Sequence, residues 1–251
     1  MKSLILSGML FLHTLTVSCN TPYHHLADTS DSTKGFAVVE LFTSEGCSSC
    51  PPADELLAKL EKESQGKPLY LLAFHVDYWD HQGWRDSFSQ HIFSERQQQY
   101  ATWMHLPSVY TPQIVINGSS EFIGSDAAAV TQAINNGFAQ ETPVNFSLQT
   151  KIVAQQMEVT WQLSSSQKNT RLLLALVQKK GLSNVRAGEN AGRKLSHVQI
   201  VQKLTTVDIQ RTTVASLSVP PGFNAQNWEL IGWLQREKDG HIIAAAKADL
   251  H

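Results

Sequence analysis

Phe36-Ala37-Val38-Val39-Glu40-Leu41-Phe42, Thr43-Ser44-Glu45-Gly46-Cys47-Ser48-Ser49-Cys50 and Pro51-Pro52-Ala53-Asp54-Glu55-Leu56-Leu57-Ala58-Lys59-Leu60 are consecutive segments, and their reading decides the fold. An apolar run of strand length leads into a Cys-x-x-Cys turn, and the turn into a helical pattern. A dithiol at a strand-to-helix turn is redox-capable, because helix N–H groups stabilise a thiolate there. The chain has 3 cysteines, and the remaining one, Cys19, belongs to a different segment. The pair is therefore free to cycle between dithiol and disulfide.

Composition narrows the class. The 251 residues carry a net charge of −2, with 42% apolar and 17% charged residues, as in a globular protein with a substantial core. Neither sign of charge forms a long run, so nothing electrostatic favours nucleic acid or anionic lipid as a partner. Met1-Lys2 followed by the apolar run Leu4 to Val17 reads as a signal peptide over residues 1–18. Leu15-Thr16-Val17-Ser18-Cys19 resembles a bacterial lipobox, with Thr16 where Leu is usual. Lipidation of Cys19 is expected, with a polar tether over residues 19–34; the alternative is ordinary secretion, with Cys19 removed along with the signal. The mature protein is expected in the bacterial cell envelope or periplasm, touching the membrane only through that anchor, in a compartment where disulfides persist.

Two periodicities follow. Leu69 to Val76 is a continuous apolar run, as for a strand buried on both faces of a parallel sheet. Ser89 to Met104 reads as a helix, Gln113 to Ile116 and Glu121 to Gly124 as strands joined through Asn117-Gly118, and Asp126 to Phe138 as a helix. After Thr142-Pro143 the period becomes two. Strands are expected at Val144 to Leu148, Met157 to Leu163, Arg171 to Gln178, Asp208 to Val219, Trp228 to Glu237 and His241 to Ala248. The fold class is α/β, a thioredoxin-like domain over residues 35–141, followed by an all-β, antiparallel sandwich-like domain over 142–251.

The candidate site gathers around the dithiol. Cys47 is expected to be exposed and to attack, with Cys50 shielded and resolving. Pro51-Pro52 place the helix start at Pro51 and disfavour helical geometry at Cys50. Glu45 and Asp54 oppose a second negative charge, which makes the thiol modestly activated. Thr111-Pro112 precedes a strand, the setting in which thioredoxin-like proteins place a cis-proline against the Cys-x-x-Cys turn. Glu40 stands where such proteins keep a buried acid as proton relay. His75 and Asp77 share one face at the end of the second buried strand. They are read first as a hydrogen-bonded histidine and a turn cap, and second as supporting residues of the corner.

Five separated blocks resemble the bacterial secreted domain-of-unknown-function family twelve-twenty-three. They are Val39 to Asp54, Phe74 to Asp80, Ser94 to Gln97, Val109 to Gln113, and Gly188 to His197. The resemblance implies a thioredoxin-like domain followed by an all-β domain and supplies no reaction. The Gly188 to His197 block holds Glu189, Asn190, Arg193 and His197 without apolar periodicity, and reads as a loop that docks onto the redox domain.

The expected function is thiol–disulfide exchange in the envelope, with no cofactor and with an envelope thiol or disulfide protein as partner. The alternatives are copper(I) binding by Cys47, Cys50 and His75, or a structural disulfide in a protein without catalytic activity.

Overall fold

Strand β1 (Ala37–Thr43) is buried at every position, so both of its faces must be covered. Val38 and Phe42 pack toward Phe93 and Tyr100 of helix α2 (His91–Met104). Ala37, Val39 and Leu41 pack toward Ala53, Leu56, Leu57 and Leu60 of helix α1 (Pro51–Glu63), and toward Val130 and Ile134 of helix α3 (Ala127–Ala139). The apolar run thus becomes a central strand because helices close off each side. This computed structural model describes residues 35–64 and 66–250. The expected signal segment, Cys19 and the whole tether lie outside the described residues.

Strand β2 (Leu69–His75) runs parallel to β1, pairing Ala37 with Leu69 and Thr43 with His75. Strand β3 (Gln113–Ile116) lies antiparallel on the other side of β1, and β4 (Ser120–Ile123) pairs with β3. Asn117 and Gly118 turn that hairpin with φ of 47° and 64°. The first half therefore reads β-α-β-α-β-β-α, with strand order β2-β1-β3-β4.

The second half supplies β5 (Phe146–Val153), β6 (Gln156–Leu163), β7 (Thr170–Asn184), β8 (Lys194–Val207), β9 (Val214–Ser218), β10 (Trp228–Arg236) and β11 (Ile242–Ala248). Their alternation buries one face of β5-β6-β9 against one face of β7, β10 and β11 through Leu148, Met157, Val159, Leu217, Leu174 and Leu230. This is sandwich packing, but these strands do not keep to sheets of their own. β8 pairs in parallel with β2 at Ala73 and Ile200, giving one mixed sheet of 8 strands, β11-β10-β7-β8-β2-β1-β3-β4. The physical reason is edge cover: β2 would otherwise end the first sheet as a buried apolar edge with unpaired backbone groups. The fold is a mixed α/β fold with a large sheet, and β8 begins inside the block expected to be loop.

Candidate functional site

The dithiol turn follows directly from β1. Cys47 N–H donates to Ser44 O (3.2 Å) and Cys50 N–H to Cys47 O (3.2 Å), folding the turn back on itself. Cys47 and Cys50 form a disulfide with Cα atoms 5.4 Å apart, inside the ordinary range. The helix starts at Pro51 as expected, yet Cys50 takes helical angles (φ −78°, ψ −37°) despite the proline after it. Its carbonyl accepts from Ala53 N–H (2.9 Å) and Asp54 N–H (3.2 Å), which offsets the local bias.

One expectation is corrected here. Cys47 is fully buried, as is Cys50, and only Ser48 and Ser49 reach the surface. The cover comes from the second half of the chain. Asn190 Nδ2 donates to Glu45 O and to Cys47 O, both at 2.9 Å, and Glu189 Oε2 accepts from Ser48 N–H at 3.0 Å. Hydrogen bonding from the Ser48 side chain, and then from its backbone N–H, holds the Glu189 carboxyl below its usual range. The Gly188 block thus docks on the corner.

Thr111–Pro112 is cis, as the sequence context predicts. Its segment lies against the turn: Ser49 Oγ reaches Thr111 O at 3.5 Å, and Trp79 Nε1 donates to Thr111 Oγ1 at 2.9 Å. Gly124 lets the chain pass, since a Cβ there would stand 2.9 Å from Pro112 Cβ and 3.1 Å from Ala53 Cβ. Ser49 Oγ also lies 3.3 Å from Cys47 Sγ.

Beneath the turn sits a buried polar cluster. Thr43 Oγ1 donates to Asp54 Oδ2 (3.2 Å), Trp84 Nε1 to Glu45 Oε2 (2.7 Å) and Glu45 N–H to Asp86 Oδ2 (2.9 Å). His197, on β8, lies between two carboxylates, 3.6 Å from Glu45 Oε1 and 3.7 Å from Asp54 Oδ1. Burial works against its imidazolium, but Asp54 and Glu45 outweigh burial and lift its pKa to about 10. His75 joins the cluster, with Nδ1 2.6 Å from Asp86 Oδ2 and its ring centroid 4.8 Å from that of His197. Burial also opposes ionisation of Asp86, yet His75 and the N–H groups of Glu45 and Phe88 hold its carboxyl low. Among the described residues, His75 Nε2, both His197 ring nitrogens and Glu45 Oε1 make no hydrogen bond.

Glu40 departs from its expected role, whereas Asp77 is the turn cap that the sequence predicts. Glu40 does not adjoin the dithiol as a relay. It shares the α2 face with Val38 and Phe42, and Arg96 (2.5 and 2.9 Å) and Tyr100 (2.5 Å) donate to its oxygens. Strand alternation forces this, because α1 covers the opposite face. Asp77 accepts from Ser94 Oγ (2.5 Å) and lies 2.9 Å from His91 Nδ1, tying β2 to the start of α2 as a turn cap. Burial, the largest influence, works against ionisation, but the bonds from Ser94 and His91 prevail and keep its carboxyl below its ordinary value.

For copper(I), the disulfide engages both sulfurs and Asp86 takes His75 Nδ1. Among the described residues no group of three or more His, Cys, Asp or Glu could hold a metal ion, and no helix is long and apolar enough to cross a membrane. Sequence reasoning passed over Asp86 and Trp84, which lie in a stretch without periodicity. Trp79 and Asn190 stood inside highlighted blocks, but nothing in those blocks showed what they touch.

A family model described as a protein of unknown function, DUF1223, matches residues 38–235. The chain superposes on the crystal structure of a protein from Agrobacterium tumefaciens with a TM-score of 0.65 at 27% identity, over 84% of this chain and 92% of that one. It superposes on HBP35 of Porphyromonas gingivalis with a TM-score of 0.58 at 16% identity, over 87% of this chain and 76% of that one. No curated protein matches.

Proposed function

The chain belongs to the DUF1223 family, and we propose that it is a thiol–disulfide exchange protein of the bacterial cell envelope acting through Cys47 and Cys50. The observation that carries this reading is the disulfide at the start of α1 with the cis Thr111–Pro112 segment against it. The β-α-β-α-β-β-α order of the first half supports a thioredoxin-like frame for that corner. Cys47 is the attacking thiol, with the Ser49 hydroxyl beside its sulfur and Cys50 resolving from the helix start. The partner is an envelope thiol or disulfide protein. Placement in the envelope, with an anchor on Cys19, rests on the leader pattern alone.

The test is a redox titration of the intact protein in glutathione buffers, followed by mass spectrometry. A single two-electron transition is expected, and Cys50→Ser should retain mixed disulfides that Cys47→Ser does not. A pair that stays oxidised at every buffer ratio sinks the proposal, and trapping by Cys47→Ser alone reverses the two roles.

A further inference from the structure

We infer that Asn190 is a positioning residue that keeps the Cys47–Cys50 turn closed, so that exchange proceeds through opening of the 185–193 loop. This rests on the exchange reading above and concerns how the disulfide is reached. Thiol attack needs an open approach to a sulfur, and both cysteines are fully buried.

The loop is built to hold one side chain in place. Val185 N–H donates to Arg193 O (3.0 Å) and Gly192 N–H to Val185 O (2.8 Å), which closes its neck. Gly188 has φ of 74°, and a Cβ there would stand 3.3 Å from Gln82 O and from Trp84 Cβ, so the loop lies close on the segment after β2. Asn190 is 1% exposed although Gly188, Glu189 and Ala191 beside it are exposed. Both N–H bonds of its amide are spent on the dithiol turn, at Glu45 O and Cys47 O, and Arg193 Nη1 donates to its Oδ1 at 3.0 Å. Asn190 grips carbonyl oxygens and no sulfur. Loss of its amide therefore affects the disulfide and dithiol states alike and changes the rate of exchange without moving its equilibrium.

Reduction by glutathione gives the measurement. One glutathione thiolate attacks Cys47 Sγ, the S–S bond breaks, and the Cys50 thiolate leaves and takes up a proton. A second glutathione thiolate attacks the glutathione sulfur of the mixed disulfide. It releases oxidised glutathione and the Cys47 thiolate, which is protonated in turn. Two glutathione thiols supply the two electrons.

In the full chain, the isosteric Asn190→Asp, which cannot donate, should be reduced about 30-fold faster than wild type, the factor for two net hydrogen bonds of ordinary strength, and Asn190→Ala, which also removes the acceptor of Arg193, should be faster still. The midpoint in glutathione buffers should stay in place. Arg193→Gln leaves Asn190 itself intact and should speed reduction about fivefold, for one such bond, which keeps the test open if the Asn190 variants misfold. Equal rates in wild type and all variants, with reversible equilibration in each, overturn the closing role and leave the exchange reading standing. Reduction only after unfolding, in every chain, overturns both.

Discussion

His197 should make stability fall with rising pH across a defined window. The group is 1% exposed and faces Glu45 and Asp54, with His75 and Asp86 behind it. Its folded pKa of about 10 lies above the ordinary histidine value of 6.5. A raised pKa means the folded state binds the proton more tightly. The stabilisation is therefore complete below pH 6.5 and disappears as pH climbs toward 10. That separation corresponds to a ceiling of about 5 kcal/mol, with a slope approaching 1.4 kcal/mol per pH unit inside the window, at about 1.36 kcal/mol per pKa unit. The assay is urea unfolding of wild type and His197→Gln at a series of pH values from 6 to 10. The difference in stability between them should shrink steadily with pH, because the variant lacks the proton to lose. Parallel profiles over that range would refute the placement of an imidazolium between the two carboxylates.

Arg96→Met should cost about 3–5 kcal/mol in urea unfolding, because it leaves the Glu40 carboxylate buried without its partner. Glu40→Gln combined with Arg96→Met should recover most of that loss, and equal loss in single and double variants would show that the charge is not the cause. Gly124→Ala should lower stability by about 1–3 kcal/mol through overpacking between Pro112 and Ala53, read as a lower urea midpoint at unchanged slope.

The corner itself was legible because its signals are local: an apolar strand, a Cys-x-x-Cys turn, prolines at a helix start and Thr-Pro before a strand. Glu40 was misplaced because alternation says which residues share a face but not which helix covers it. Strand β8 was missed for two reasons. Its start, Lys194 to His197, holds one apolar residue, Leu195, and the pairing register shifts at Leu176/Val177, so the alternation of Lys194 to Val207 changes face midway. The burial of Cys47 could not be read from its neighbours, since Asn190 lies 143 positions along the chain. The single large sheet escaped for the same reason, because one pairing, Ala73 with Ile200, joins the halves. Period reports burial, not which edge meets which.

That separation gives the protein a direction in time. A ribosome delivers Cys47 and Cys50 long before Asn190, Glu189 and His197 exist. Contacts of such long range form late, because their loop must close before they contribute. The nascent chain thus passes through an interval in which its thiols are on view and the residues that will bury them are still unmade. Sulfur chemistry during biogenesis and sulfur chemistry in the finished molecule therefore meet two different surfaces, written by one sequence and separated by the synthesis of the 143 positions from Cys47 to Asn190.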